Sequence, residues 1–503
     1  MLFELCLILL LIILYVIYVK RRYFSLHGSL PGLSPHFLFG NLIQAGVLFR
    51  NISVPNALRQ FKARYGDVFQ FWLGSSRIIV VSGVEDVQHV LTHRHIYDKG
   101  ALSTRTFSIL FPDAIVCCKG AKYKRHAAYI LTLFRRTKVM ANLDLMIDHV
   151  DKLLVRWRAN DIDIIHQNIL QQCQYLVLGI FGFIAFDYDL EILNGEDFTG
   201  NELTQALQDF VSAFQFLLFS PSFISSIYLK FNSRYRRARE VIKRHLYQII
   251  EQELTENEES LANRKRTCFI ASLVTSLQEN ESLEASKPEE DKKGLSRQEV
   301  LDEMLLFLVA GFETTATALA WFIHLMSKHP RVQSKIKAEL ASNGGTTQDI
   351  TQDRLDSLVY LDCVVNEVLR FCPPLLAAVR TVGVDDVLPQ SGAQLHEGDE
   401  VLIPIHNLAR DTRLWSIDPD LFYPERFLEA DKNHHPYALL PFSTGHRQCI
   451  GQDLARFELK VLAARLMQNV TFTDGGPQVN SGGHFARVSV MPKHIGVKIS
   501  FDY

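Results

Sequence analysis

The feature that most limits the possible folds is a long apolar segment in the second half of the chain. Ser296-Arg-Gln-Glu299 has the pattern of a capping box, so a helix is predicted to begin there. It continues to His329, where Pro330 opens the next segment. About thirty residues at ~1.5 Å each make a rod that can cross a whole domain. The middle of this helix is apolar on nearly every side, which is typical of a helix buried in a large helical core.

Polar residues interrupt the apolar centre of this helix at Ala310-Gly-Phe-Glu-Thr-Thr315. Gly311 lowers helix stability by ~1 kcal/mol relative to alanine, and Glu313 places a carboxylate where it must be paired or functional. Thr314 can bond its own backbone and loosen the helix locally. Two interpretations stay open. One is a kinked helix whose glutamate finds an outlet to water. The other is a groove in which the glycine admits a small ligand, and the acid and the alcohol hand protons to it.

The N-terminus differs from the rest of the chain. Residues 2–19 are apolar except for Glu4, which can lie at the interface, and they are just long enough for a membrane span of ~20 residues. Residues 20–22 are Lys-Arg-Arg, and basic residues mark the cytoplasmic flank of a span. A cleaved signal peptide would carry its positive charge before the apolar run and small residues after it. We therefore predict an uncleaved single-pass anchor over residues 1–22, with the bulk of the chain in the cytosol.

Few signals divide the rest of the chain. Prolines and glycines stiffen a connector behind the anchor, and they predict a hinge over residues 23–45. No later linker is long enough to split residues 46–503, which we predict to form one large domain. Val68–Leu73 and residues 78–81 have the pattern of two strands joined by a turn, and residues 487–501 that of a C-terminal hairpin. The predicted fold class is mainly α with small β-sheets.

Composition excludes several classes of function. The formal net charge of −2 over 503 residues gives no basic excess, so we expect no nucleic-acid partner. The eight cysteines form no CxxC or Cys/His zinc pattern. They also do not look like the disulfide framework of a small secreted domain, which indicates a reducing compartment. Residues 214–229 are nearly apolar around a proline, and form either a buried helix pair or a surface patch that dips into a bilayer.

Three arginines and one glutamate form a second group of candidates. In the helix predicted over residues 358–371, Glu367 and Arg370 lie on one face among apolar neighbours. A buried pair needs further partners, and Arg426, in an aromatic-rich loop, is the candidate. Arg380 ends an apolar run, so it either faces an anionic group at the end of a cavity wall or is exposed at the rim of a strand.

The loop over residues 441–451, PFSTGHRQCIG, raises the question of whether Cys449 is a ligand or an inert thiol. Gly445 and Gly451 allow tight turns, so that backbone N–H groups can point at the sulfur. The helix predicted to follow would place its positive end near Cys449 and favour the thiolate. A thiolate is a soft ligand that suits iron.

This loop, with the spacing FxxGxRxCxG, resembles the haem-binding loop of the cytochrome P450 haem-thiolate monooxygenases. Four further signatures stand in the order of that family, so the resemblance covers essentially the whole chain. They are the anchor with PGLSPHFLFGN behind it, AGFETT at 310–315, the ExxR pair Glu367-Val-Leu-Arg370, and PERF at 424–427. The resemblance implies the cytochrome P450 fold, a single large helical domain behind an N-terminal anchor.

The resemblance implies haem b, which is iron protoporphyrin IX, as the cofactor. Cys449 would be the axial ligand of the iron, and in this family such a thiolate is known to push electron density toward bound oxygen and favour O–O cleavage. Phe442 would pack against the haem near the sulfur. Arg447 and Arg380 would pair with the haem propionates through charge-assisted hydrogen bonds.

The implied reaction inserts one oxygen atom of O₂ into an organic substrate and reduces the other to water. Thr314 would hold the bound oxygen, and Glu313 would help to relay protons through water. Electrons would come from NADPH through a membrane-bound NADPH–cytochrome P450 reductase, with cytochrome b5 as a further candidate donor. The implied location is the endoplasmic reticulum membrane. Apolar segments such as residues 375–379 suggest a lipophilic substrate.

One segment departs from the family pattern. Where many members carry Trp-x-x-x-Arg on a helix that reaches the haem from the side, this chain has Tyr123 and Ala127. Tyr123 can still donate to a propionate, and Arg125 and His126 are other candidates for this contact. Alternatively, the stretch is a basic surface patch that docks the reductase, and the two roles can coexist.

Two other functions compete with the monooxygenase. One is a haem-thiolate isomerase or dehydratase that needs neither O₂ nor a reductase, and the other is a haem-binding sensor or carrier. The acid–alcohol pair Glu313-Thr314 argues against both, because neither activity needs a proton relay of this kind.

Overall fold

The computed structural model describes residues 2–37, 39–159, 164–190, 192, 201–219, 222–342, 349–486 and 489–502. Most of these residues are helical and the sheets are small, so the predicted fold class is confirmed. The chain divides into two compact units. The first unit consists of Met1–Ser103, Leu376–Leu414 and His435–Gln448, and the second unit of Thr104–Leu375, Trp415–His434 and Cys449–Tyr503.

The α-helices of the described residues are, in chain order, α1 (Leu2–Tyr23), α2 (Val54–Tyr65), α3 (Val84–Thr92), α4 (Ala101–Phe107), α5 (Gly120–Leu133), α6 (Arg136–Met140), α7 (Leu143–Arg158), α8 (Ile169–Phe186), α9 (Glu202–Phe219), α10 (Ser222–Phe231), α11 (Ser233–Thr255), α12 (Glu258–Arg264), α13 (Phe269–Val274), α14 (Glu281–Ala285), α15 (Arg297–Lys328), α16 (Pro330–Ser342), α17 (Gln352–Ser357), α18 (Val359–Phe371), α19 (Ile405–Ala409) and α20 (Gln452–Asn469). The strands are β1 (Val68–Leu73), β2 (Ser76–Val81), β3 (Tyr97–Lys99), β4 (Ala377–Val382), β5 (Asp386–Val387), β6 (Gln394–Leu395), β7 (Glu400–Pro404), β8 (Val470–Asp474), β9 (Gly482–Ala486), β10 (Val490–His494) and β11 (Val497–Phe501). Short 3₁₀ helices lie at Glu289–Asp291, Pro424–Phe427, Pro436–Ala438 and Gly445–Arg447.

A five-stranded mixed sheet organises the first unit, with its strands in the order β1-β2-β7-β4-β3. β1 and β2 form the predicted hairpin, although β2 begins earlier than predicted, at Ser76. Successive side chains of a strand point to opposite faces of the sheet. Ile79 and Val81 therefore pack into one apolar cluster, and Ile78 and Val80 into another. Both faces of the sheet are covered, and β4 lies in its interior.

The second unit is built around α15, whose predicted start is confirmed. The Ser296 hydroxyl accepts from the Glu299 N–H at 3.2 Å, and the Glu299 carboxylate accepts from the Ser296 N–H at 2.9 Å. The helix ends at Lys328, and Pro330 begins α16. α8 packs along α15. Among the described residues these two helices are long and apolar enough to cross a membrane, but most of each is buried in the protein, as in a core helix.

The C-terminal strands correct one prediction. Residues 487 and 488 lie outside the described residues, and the strands that follow do not pair with each other. β10 pairs with β9, and β11 pairs with β8. The predicted hairpin over residues 487–501 is therefore wrong. Alternating apolar residues indicate strands, but they do not identify which segment supplies the pairing partner.

Candidate active site

Arg380 lies on β4 in the interior of the first unit's sheet, with only 3% of its surface exposed. Its Nη1 donates to the Val379 carbonyl at 3.0 Å, whereas Nε and Nη2 have no hydrogen-bond partner among the described residues. Burial, helped by the nearby charge of Arg447, lowers the pKa of Arg380 to about 10. Buried donors carry a large energetic cost unless an acceptor binds them. The interpretation of an exposed arginine is therefore wrong, and the side chain fits a carboxylate that does not belong to the chain.

Arg447, in the same unit, already has a carboxylate partner. Its Nε donates to Asp98 Oδ1 at 3.0 Å, and its Nη2 lies 2.8 Å from the same oxygen. Burial alone would raise the pKa of Asp98, but the Lys99 backbone N–H and Arg447 hold that pKa below its ordinary value. Asp98 therefore balances much of the charge of Arg447, and of these two arginines Arg380 has the buried donors without an acceptor.

The backbone of the loop before Cys449 adopts uncommon conformations. Ser443 has a φ of +56°, which few non-glycine residues adopt, and Gly445 has a φ of +79°. A Cβ at Gly445 would lie 2.5 Å from the Leu91 carbonyl oxygen. Glycine is therefore required at 445 for both conformation and space, as predicted. Phe442 is half-buried in the same loop.

Cys449 begins the last segment of the second unit, and it alone among the described cysteines has an exposed side chain. The protein nevertheless surrounds the sulfur, so burial raises the pKa of the thiol more than the Gly451 backbone N–H lowers it. Solvent therefore reaches Cys449 although protein atoms lie on most sides of it. The Gly451 N–H, at the start of the following helix, favours the thiolate in the predicted direction, but in the chain alone burial has the larger effect on the pKa. A bound metal cation would reverse this balance. Gly451 has a φ of −82°, which does not require glycine.

The centre of α15 is open on one side. Ala310 is exposed and Thr314 is half-buried, although nearly all their neighbours on the helix are buried. The two residues are four apart and share one helix face. Thr314 Oγ1 donates to the Ala310 carbonyl at 3.0 Å, and the helix continues without interruption. The structure therefore favours the groove over the kinked helix.

Gly311 serves the packing of two helices. A Cβ at this position would lie 2.4 Å from Cε2 of Phe181 on α8, which is closer than real atoms approach. The glycine thus permits α8 and α15 to pack closely, while the approach of a ligand at this position stays a prediction.

Glu313 is fully buried, and its Oε1 accepts a hydrogen bond from Ser489 Oγ at 3.2 Å. Ser489 Oγ also lies 2.9 Å from Thr317 Oγ1. The interpretation that Glu313 finds an outlet to water is therefore wrong. Sequence reasoning missed both hydroxyl groups. The spacing of four residues between Glu313 and Thr317 could have indicated the second one, but no local signal marks Ser489.

The Glu367–Arg370 pair is buried, and Arg426 joins it as predicted. Arg370 Nε and Nη2 donate to the two carboxylate oxygens of Glu367 at 2.7 and 2.8 Å, and Arg426 Nε donates to Glu367 Oε1 at 3.1 Å. Asp431 Oδ2 accepts from Arg426 Nη1 at 3.1 Å. These contacts connect α18 to the loop that contains Pro424–Phe427, so their role is structural.

The stretch that departs from the family pattern is engaged within the second unit. Arg125 Nη1 and Nη2 donate to the Glu299 carboxylate at 2.9 and 2.7 Å, and Arg125 Nε donates to Glu289 at 2.8 Å. His126 Nδ1 lies 2.7 Å from Glu303 Oε1. Arg125 and His126 are both buried. Carboxylates of the protein therefore bind these two side chains, and neither forms part of an exposed docking patch.

The sequence of this chain is similar to those of known proteins. The sequence profile described as Cytochrome P450 matches residues 30–499. Cytochrome P450 monooxygenase 205 of Postia placenta is 27% identical over 444 residues, which cover 82% of this chain and 80% of that protein. Probable cytochrome P450 313a4 of Drosophila melanogaster is 26% identical over 489 residues, 94% of each chain. Cytochrome P450 3A17 of Cavia porcellus is 26% identical over 450 residues, 88% of this chain and 85% of that protein.

Proposed function

The chain belongs to the cytochrome P450 family of haem-thiolate monooxygenases, and on this premise we propose that it is a membrane-anchored enzyme that oxygenates a lipophilic organic compound. One observation carries the proposal. The cysteine of the FxxGxRxCxG loop, Cys449, is the described cysteine whose side chain is exposed, while the others are buried or half-buried. An accessible thiol that the protein surrounds is suited to bind a metal and unsuited to core packing.

Haem b bound through Cys449 would supply the iron at which O₂ is activated. We assign the propionate carboxylates to Arg380 and Arg447. Arg380 has two buried nitrogens without a hydrogen-bond partner among the described residues, whereas Arg447 also bonds to Asp98. Phe442, half-buried in the loop, is assigned to pack against the ring system near the sulfur.

We assign the handling of oxygen and protons to Thr314 and Glu313. The Thr314 side chain lies on the open face of α15, where its hydroxyl can bond a small ligand. Glu313 is the adjacent carboxylate, and a positioned acid of this kind transfers protons to a reacting group. No observation favours an isomerase or dehydratase. Such an enzyme needs no proton relay, whereas Thr314 and Glu313 are both present in this chain.

The electrons are proposed to come from NADPH through NADPH–cytochrome P450 reductase, with cytochrome b5 as a further candidate donor. α1 supports a membrane location, because apolar side chains such as Leu11 and Leu14 are exposed along it. We assign residues 1–22 to a single-pass anchor in the endoplasmic reticulum membrane, residues 23–45 to a hinge, and residues 46–503 to the cytosolic catalytic domain.

The test is the absorption of the reduced, carbon monoxide-bound protein. We expect the red-shifted Soret band of thiolate ligation in the wild type and its loss in Cys449→Ser. Cys117→Ser is the matched control, because Cys117 is a half-buried cysteine of the same unit, and it should keep the band. A Cys449→Ser protein that retains the band would overturn the assignment. A screen of lipid libraries for substrate-induced spin shifts would then identify the substrate.

A further inference from the structure

The hydroxyl group of Ser489 contacts the buried carboxylate of Glu313, and the hydroxyl group of Thr317 contacts that of Ser489. Ser489 Oγ is 3.2 Å from Glu313 Oε1 and 2.9 Å from Thr317 Oγ1. All three residues are at most 1% exposed. Threonine in a helix commonly bonds the carbonyl four residues earlier, as Thr314 does with Ala310. The hydroxyl of Thr317 instead contacts a residue outside its own helix.

The donor and acceptor roles in this group follow from simple counting. A hydroxyl group has one proton to donate and two lone pairs that accept. The Ser489 hydroxyl donates its proton to Glu313 Oε1, so it accepts from Thr317. The polar hydrogens of both hydroxyls then point along one path toward the carboxyl group.

The backbone around Ser489 is held against α15 by independent contacts. Trp321 Nε1 donates to the Val490 carbonyl at 3.0 Å, and the Val490 N–H donates to the Pro374 carbonyl at 2.6 Å. Glu313, Thr317 and Trp321 are spaced four residues apart, so they form a stripe along one side of α15. This stripe faces the start of β10, which fixes the distance between Ser489 and Glu313.

We propose that Ser489 is a positioning residue for Glu313, with Thr317 supporting its orientation. A glutamate side chain has several rotamers, and a charged one is stable in an apolar helix face only where it is hydrogen-bonded. The Ser489 hydroxyl selects the rotamer from which Glu313 acts. This inference rests on the proposed function, because it concerns the acid of the proposed proton path. It adds a residue that no motif of the chain contains.

The test combines two double-mutant cycles on the full-length protein, with Ser489→Ala, Glu313→Gln and the double variant. One cycle measures the free energy of unfolding in urea, and the other the fraction of NADPH electrons recovered in product instead of peroxide. We expect each single variant to lower this fraction several-fold. The double variant should be no worse than Glu313→Gln alone, because residues that act as a unit are not additive. Ser489→Thr, which keeps the hydroxyl, should restore most of the fraction.

Ser276→Ala is the matched control, because Ser276 is a buried serine of the same unit whose hydroxyl donates to the Leu273 carbonyl. It should leave the product fraction unchanged. If Ser489→Ala lowers stability and leaves the product fraction unchanged, the serine is only structural and the inference is wrong. Independent, multiplying effects of Ser489→Ala and Glu313→Gln would also overturn it. Failure of the proposed function has a different signature, since the wild type itself would then lack the thiolate Soret band, and both proposals would fall.

Discussion

Glu367 accepts hydrogen bonds from two guanidinium groups, those of Arg370 and Arg426, in a region without solvent exposure. Arg426 also bonds to Asp431, so two positive and two negative charges balance. Such a network contributes little net stability compared with apolar packing, but removal of one member leaves a buried charge unpaired. Its function is therefore to hold α18 and the loop over residues 415–434 in one arrangement.

Replacement of Glu367 with alanine is expected to lower the free energy of unfolding by about 3–5 kcal/mol, because two buried guanidinium groups lose their shared acceptor. Denaturant unfolding measures this change, and Glu367→Gln provides a value if the alanine variant does not fold. Asp356→Ala is the control. This substitution breaks the Arg136–Asp356 pair, whose side chains are 69% and 54% exposed. It should lower the free energy of unfolding by roughly 0–1 kcal/mol. Equal losses at the two sites would contradict the prediction.

Partners that a local sequence signal marks are predictable, and those without such a signal are not. The ExxR pair among apolar residues requires a third partner, and Arg426, the lone basic residue of an aromatic-rich loop, is predictable although it lies 59 residues from Glu367. Ser489 and Asp98 were missed because 176 and 349 residues separate them from Glu313 and Arg447. The rise in the pKa of the Cys449 thiol was not predictable from the sequence either, because the burial that causes it depends on how the unit packs.

At the scale of elements, local signals predicted helix ends and distant contacts decided strand partners. The capping box at Ser296 and the proline at 330 place both ends of α15. The same helix is attached to α5 by contacts that no motif indicates. Burial alone would lower the pKa of His126, but polar contacts with Cys118, Glu299 and Glu303 raise it to about 11. The imidazolium therefore persists at neutral pH and pairs with the carboxylates of α15.

This attachment predicts a pH dependence with a definite sign. The ordinary pKa of histidine is 6.5, so between pH 6.5 and about 11 the folded protein holds a proton on His126 that the unfolded chain lacks. The contribution of protonated His126 to the free energy of unfolding is complete below pH 6.5. As the pH rises above this value, the contribution falls by ~1.4 kcal/mol per pH unit. His126→Gln should remove this contribution to the slope, measured by urea unfolding between about pH 7 and 9.

His149→Gln is the matched control for that experiment. His149 is another buried histidine of the second unit, but burial lowers its pKa, so it is already neutral above pH 7 in both folded and unfolded states. Its replacement should change the free energy of unfolding by the same amount at every pH, so the slope of this free energy against pH should stay unaltered. A slope that survives in His126→Gln would show that the proton is held elsewhere.

At the scale of the whole molecule, the two compact units alternate along the chain. Each consists of three segments, and the loop over residues 441–451 passes from one to the other between Gln448 and Cys449. This alternation explains why the sequence shows no single linker that would mark a boundary. The proposed anchor, residues 1–22, is in contrast a continuous segment, so it can be removed without interrupting either core.

Removal of residues 2–22 is expected to change how the protein binds membranes. The described side chains of α1 include exposed apolar ones between Leu10 and Tyr18, and a helix that spans a membrane resists extraction by alkaline carbonate. The full chain should therefore stay in the membrane pellet after carbonate treatment, while the shortened chain should move to the supernatant. Resistance of the shortened chain to carbonate would show that another segment spans the membrane.

α10 is a second segment that we expect to contact the membrane, and it would keep the shortened chain bound there. The sequence leaves open whether residues 214–229 are buried or form a surface patch. Residues 220 and 221 lie outside the described residues. The described part of this range contains both buried and exposed apolar side chains. Within this range Phe214 is fully buried and Ile227 is 56% exposed, and Phe231, two residues beyond it at the end of α10, is 74% exposed. Exposed apolar side chains of a surface helix bind the membrane interface without spanning it. The shortened chain should thus sediment with vesicles at neutral pH, and Ile227→Ser with Phe231→Ser should release it. Sedimentation that is unchanged by these two substitutions would assign the contact to another surface.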